Sequence, residues 1–264
     1  MIIHADARAL PIRTACVQTV ITSPPYWQLR DYGHGVEQMG LEPTLEGYIT
    51  NLCTVCDEVW RVLRADGTFW LNLGDTRQKD GTLTGVPWLI AFELMERGWK
   101  LQAEVIWSKQ KGSPSGGSLR PLRTHEQLFM FTRIASGYYY NADAIREPLS
   151  PVTIARYKYS VKPIQSRATG DVTRKMLTPN PLGRYRRSVW EIAPTSAKHD
   201  GEHFAVFPEK LIEPCILASS TPGGLVLDPF IGSYGRVPSR TRARDRRQQG
   251  AANHMIVKLL STVK

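Results

Sequence analysis

The chain has 264 residues, of which 42% are hydrophobic and 22% charged, and a formal net charge of +10. That is ordinary for a globular protein with a real core, organised as one large domain or one domain carrying an insertion. No apolar run approaches the roughly 20 residues of a membrane span. Met1 to Asp6 lack the basic flank and long apolar stretch of a signal peptide. Four cysteines in so long a chain do not make a disulfide scaffold, so a reducing cytosol is the expected compartment.

In chain order, residues 1–7 and 17–22 are short β-rich runs that read as buried strands. Pro24-Pro25 then stops regular structure. Leu45, Ile49, Leu52, Cys53, Cys56, Val59, Trp60 and Leu63 recur at helical spacing, which predicts an amphipathic helix over 45–63. Asp66-Gly67 reads as a turn and residues 68–73 as a strand. Residues 85–98 read as a second helix, with Pro87 near its start and Gly98 just past its end. Strands are expected at 99–107 and 127–132, with a Gly/Ser/Pro-rich loop over 109–124. From about 148 to 188, prolines, basic residues and tyrosines replace any long apolar face. A helix over 209–219 and a strand over 225–227 follow. Strands alternating with helices predict an α/β doubly wound, mostly parallel sheet.

Charge is unevenly spread. Residues 151–190 hold nine Lys/Arg (Arg156, Lys158, Lys162, Arg167, Arg174, Lys175, Arg184, Arg186 and Arg187) against Asp171. Residues 236–264 hold eight against Asp245, and the remainder is mildly acidic. Localised positive charge points to a polyanion, with nucleic acid first; a solvated loop and tail is the plain alternative.

Two corners stand out. Thr22-Ser23-Pro24-Pro25-Tyr26-Trp27 follows a strand directly, where open α/β sheets bind ligands. The prolines stiffen the turn, leaving the Ser23 hydroxyl and Pro24 carbonyl as fixed acceptors beside the Tyr26 ring. That set suits the exocyclic amine of a nucleobase lying outside its helix; a plain Pro-Pro turn is the alternative. Asp228-Pro229-Phe230-Ile231-Gly232-Ser233 also follows a strand, and its small residues allow close approach of a ligand. Asp6 by itself reads as a turn or cap, and residues 204–208 as core packing. Cys53 and Cys56 read as core rather than zinc ligands. His125-Glu126 reads as a satisfied structural pair before a strand.

Taken in order, Ser-Pro-Pro-Tyr, a basic insertion, Phe-x-x-Phe-Pro-Glu and Asp-Pro-Phe-x-Gly-Ser resemble the beta-class amino-methyltransferases of DNA. Between them, residues 67–75, Val105 to Lys109, Thr124-His125-Glu126 and Tyr138 to Pro148 match as well, so the resemblance spans roughly 1–235. It implies methyl transfer from S-adenosylmethionine to cytosine N4 or adenine N6 in double-stranded DNA, on a Rossmann-like fold with permuted motif order. Ser23, Pro24, Pro25 and Tyr26 would form the catalytic loop. Asp6, Phe207, Pro208, Asp228, Phe230, Gly232 and Ser233 would bind the cofactor. The nine basic residues of 151–190 would bind DNA. Ser in the first motif position leans towards cytosine N4, with adenine N6 as runner-up. The resemblance divides the chain into a catalytic part (1–148), a target-recognition insertion (149–190), a cofactor-binding part (191–235) and an atypical basic tail (236–264). It implies a bacterial or phage enzyme, monomer or homodimer, with a partner nuclease in a restriction-modification system.

The sequence departs from the family after Ser233. Tyr234 stands where a residue without a side chain is usual, and Pro238 where a helix should run. The family next expects a strand ending in an acid that grips the cofactor ribose. Residues 255–260 suit a strand, but no carboxylate follows Asp245. A shifted reading frame gives such a jump, and so does a real DNA-binding tail. The first reading makes a catalytically impaired DNA-binding remnant the alternative of a different class.

Overall fold

The computed structural model describes residues 2–31, 38–109, 120–157, 180–194, 208–230 and 255–261. Its strands are β1 (Ile2–Ala5), β2 (Val17–Thr22), β3 (Leu63–Leu73), β4 (Lys100–Ser108), β5 (His125–Thr132), β6 (Val189–Glu191), β7 (Leu225–Asp228) and β8 (Met255–Ser261). They form one sheet in the order β1-β8-β7-β2-β3-β5-β4-β6. β5 runs antiparallel to β3 and β4, and β8 antiparallel to β7 and β1. With β2 parallel to β3 and β7, and β6 parallel to β4, the other six strands share one direction.

The helices are α1 (Leu45–Val62), α2 (Val86–Glu96), α3 (Pro151–Tyr157) and α4 (Glu209–Ser219). Thr44 starts α1, its Oγ1 accepting from the Gly47 amide at 3.1 Å. Strand side chains alternate between two cores, as the two-residue strand period requires. Val20, Phe69, Leu71, Phe129 and Phe131 pack with α1 and α2 in one cluster. Ile21, Trp70, Leu128, Met130 and Val226 pack with Leu211 and Cys215 of α4 in the other. Helices thus cover both faces, and the sheet is doubly wound. Cys53 and Cys56 are core residues, and burial pushes the Cys53 thiol up to about 12. No described helix is long and apolar enough to cross a membrane.

Three details differ from the sequence expectation. β3 begins at Leu63 rather than after the Asp66-Gly67 turn. The turn is absorbed as a bulge: pairing with β2 jumps from Val17–Leu63 to Thr19–Thr68. Gly67 is required there, because a Cβ would lie 2.7 Å from the Gln18 carbonyl oxygen. β6 was not expected, since three residues are too few to show a period. It is held by Trp190, whose ring lies 6.4 Å from that of Trp70. β8 covers the expected run, 255–260, and one residue more. Being antiparallel, it pairs its last residue, Ser261, with Leu225 at the start of β7, so its carboxyl end lies away from the β7 carboxyl end.

Residues 141–187 form a compact unit of their own. Within it Glu147 and Arg184 bridge two segments through their backbones and through an ion pair of 3.0 Å. The Arg146 guanidinium lies 3.9 Å from the Tyr185 ring centroid.

Candidate active site

Six strands pointing one way put six carboxyl ends on one edge. Asp6 follows β1, Ser23 follows β2, Gly74-Asp75 follow β3, Lys109 follows β4, and Asp228 ends β7. Because β5 is antiparallel, its beginning, His125-Glu126, joins them.

The two sequence corners touch. Thr22 Oγ1 donates to Asp228 Oδ1 at 2.6 Å, across 206 residues of chain. The same oxygen accepts from the Phe230 amide at 2.9 Å, so the carboxylate also fixes the turn that follows. Phe230 packs against the larger core. Asp6 is both a turn former and an edge acid. Its carbonyl accepts from Ala9 N at 3.0 Å, and its carboxylate binds the Arg8 backbone and guanidinium at 2.8 Å. Pro208 is buried at the start of α4. Phe207, Gly232 and Ser233 lie outside the described residues, as do Lys158, Lys162, Arg167, Arg174 and Lys175. Among the described basic residues, Arg156 and Arg187 are exposed, Arg186 is half-buried, and Arg184 is held on Glu147.

At the first corner, Pro24 is buried and Ser23, Pro25 and Tyr26 are half-buried. Tyr48 of α1 donates to the Pro25 carbonyl at 2.8 Å, tying the proline turn to a core helix. Tyr26 lies against Gly74, where a Cβ would be 2.4 Å from its Cε2. Its hydroxyl donates to Glu126 Oε2 at 2.8 Å, lies 3.1 Å from Ser23 Oγ, and accepts from Asn72 Nδ2 at 2.7 Å. Asn72 Nδ2 also reaches Glu126 Oε2 at 2.8 Å. Lys109 Nζ forms an ion pair with Glu126 Oε1 and lies 4.7 Å from the Trp107 ring centroid. Burial, then the Glu126 charge, push the Tyr26 phenol well above its ordinary value, so it keeps its proton. Beside this group Asp75 holds the start of α2: its Oδ1 accepts from Thr84 Oγ1 at 2.6 Å and Gly85 N at 2.9 Å, and Arg123 stands 3.5 Å from Oδ2.

Sequence reasoning missed Asn72, Lys109 and Glu126 as members of this corner. Thr124-His125-Glu126 and Val105 to Lys109 were visible as motifs, but nothing in them announced Tyr26 as the partner.

The chemistry of the edge suits a cationic ligand. Carboxylates end or follow β1 and β7, one of them already held in place by two donors, with an aromatic ring just beyond. Opposite charge at a partly buried edge favours a sulfonium over its neutral thioether.

The fold is that of α/β methyltransferases. A DNA methylase family model for N6 and N4 enzymes matches residues 17–243. The Citrobacter freundii Type II methyltransferase M.Cfr9I is 36% identical over 92% of this chain and 78% of its own length. The Xanthomonas campestris pv. cyanopsidis Type II methyltransferase M.XycI is 37% identical over 86% and 73%. The PvuII cytosine-N4-specific DNA methyltransferase shares the fold, with a TM-score of 0.58 at 17% identity over 86% of this chain and 72% of that one. A Thermus thermophilus protein described as a DNA modification methylase, complexed with S-adenosyl-L-methionine, gives 0.52 at 21% identity, over 86% and 76%. The chain belongs to the beta-class DNA amino-methyltransferases, enzymes that use S-adenosylmethionine.

Proposed function

We propose that this enzyme methylates the exocyclic N4 of cytosine in double-stranded DNA, at the Ser23–Tyr26 corner, after the base has left the helix. The observation that carries the reading is the Thr22–Asp228 hydrogen bond, which sets the proline turn beside the turn read as the cofactor corner. Asp6, Phe207, Pro208, Asp228, Phe230, Gly232 and Ser233 are the residues assigned to S-adenosylmethionine. When bound, it supplies an electrophilic methyl group on a cationic sulfur.

An aromatic amine is a weak nucleophile because its lone pair is delocalised into the ring. Accepting its hydrogens at Ser23 Oγ and the Pro24 carbonyl returns that pair to nitrogen. No strong base is needed before transfer. As the N–C bond forms the C–S bond breaks, the sulfur leaves as a neutral thioether, and the methylated nitrogen, now cationic and acidic, gives its extra proton to water afterwards. In-line positioning contributes several kcal/mol. Flipping the base costs about a few kcal/mol, partly offset by stacking on Tyr26. The basic module of 151–190, through Arg156, Arg186, Arg187 and their neighbours, neutralises phosphates and fixes the register on the duplex. Arg184 contributes to holding that module together through Glu147. Ser at position 23, the residue that leans towards cytosine N4 in the family's first motif position, supports cytosine N4 over adenine N6.

The test is to express the chain, digest host DNA to nucleosides and weigh the methylated base. N4-methylcytosine is expected, and N6-methyladenine overturns the assignment of the amine. Neither base, with DNA binding retained and no heat of S-adenosylmethionine binding, identifies a DNA-binding remnant instead.

A further inference from the structure

The hydrogens at the first corner can be counted. An ionised Glu126 only accepts. Its Oε2 takes the Tyr26 hydroxyl hydrogen and one Asn72 hydrogen, and its Oε1 faces Lys109. The second Asn72 hydrogen lies closest to Tyr26 Oη, at 2.7 Å; Ser23 Oγ, at 3.4 Å, is too far to compete. Tyr26 has then spent its only hydrogen on Glu126. The 3.1 Å contact between Ser23 and Tyr26 must therefore be donated by Ser23. With its hydrogen turned inward, Ser23 keeps its lone pairs for a donor from outside.

The Asn72 amide is held this way round by the Glu126 charge. Its Oδ1 is buried with no hydrogen-bond partner among the described residues. Leaving an acceptor bare is costly. The opposite flip costs more, because it sets the amide oxygen against the Glu126 carboxylate.

We infer that Glu126, backed by Lys109, is a positioning residue that turns the Asn72–Tyr26–Ser23 chain so that Ser23 meets the target amine as a pure acceptor. The inference rests on the proposed role of Ser23. A neutral amide at position 126 can donate to Tyr26. The phenol hydrogen then swings to Ser23, occupies a lone pair and sends the serine hydrogen outward, against the N–H of the amine.

The test uses the full chain, with labelled methyl transfer into duplex DNA and S-adenosylmethionine binding by calorimetry. For Glu126→Gln, kcat is expected to fall on the order of 100-fold, with KM for DNA and cofactor Kd little changed. Glu126→Asp restores most of the rate. Adding Glu126→Gln to Tyr26→Phe costs nothing further, because the middle of the chain is already gone. Wild-type kcat in Glu126→Gln, additive losses in the cycle, or a parallel loss of cofactor affinity each overturn the inference. Should Glu126→Gln not fold, Lys109→Met replaces it in the same cycle, where an unchanged kcat overturns the inference. Ser23→Ala separates the two levels. If it turns over normally, the role of Ser23 itself is wrong. If it is inactive while Glu126→Gln is unaffected, only the positioning role fails.

Discussion

Gly74→Ala tests the first corner by moving the Tyr26 ring without touching its chemistry. The new Cβ would lie 2.4 Å from Cε2, 2.9 Å from Cδ2 and 3.1 Å from Cζ of Tyr26. Carbon atoms pack at roughly 3.5–4.0 Å, so the ring must retreat by about 1 Å. The hydroxyl travels with it, out of its present alignment with Glu126 at 2.8 Å and Asn72 at 2.7 Å. A displacement of about 1 Å at a reacting centre costs about 100-fold in rate, and overpacking about 1–3 kcal/mol in stability. Asp228 and its neighbours are untouched, so cofactor binding should survive. Single-turnover methyl transfer measures the first effect, thermal unfolding the second and calorimetry the third. Wild-type turnover in a folded Gly74→Ala protein would refute the claim that the ring is held to its position for catalysis.

Other expectations follow from the same geometry. Tyr26→Ala should lose most activity yet keep cofactor binding, measured by calorimetry beside the activity assay. Thr22→Val removes a hydrogen bond to a charged group and should cost about 1.5–3 kcal/mol of stability, read from urea unfolding, with weaker cofactor binding. If Arg156 and Arg187 each neutralise a phosphate, replacing either with Ala should reduce the slope of log K against log salt by about 0.9, in titrations of labelled duplex. The Arg61 guanidinium holds the Glu58 carboxyl below its usual range. That contribution is present above the unfolded-state pKa and is lost as pH falls through the folded one, so Glu58→Gln should flatten the acid limb of the stability profile, followed by urea unfolding at several pH values.

Much of the fold was legible because strand and helix periods are local signals. The Pro-Pro stop after β2 and the Asp-Pro-Phe turn after β7 announced themselves the same way. What stayed hidden depends on partners distant in sequence. Glu126 looked structural because the residues it serves, Tyr26 and Asn72, lie 100 and 54 positions away. Only the reversal of β5 brings its first residues to the edge where the other strands finish. Asp66-Gly67 has turn chemistry, yet the neighbouring strand absorbed it as a bulge. β6 is too short to carry a pattern, and it exists because Trp190 finds Trp70.

The pairing of β2 with β7 has a consequence during synthesis. All six residues of β2 are buried in the finished sheet. One of its flanks is covered early by β3, but the other waits for a segment some 200 residues further on. At about 5–20 residues per second, a ribosome needs roughly 10–40 s to deliver it. For that interval a nascent chain presents Val17 to Thr22 as an open, β-prone margin, a ready template for mispairing. Expression at high yield should therefore depend on chaperone capacity more than on the stability of the completed enzyme.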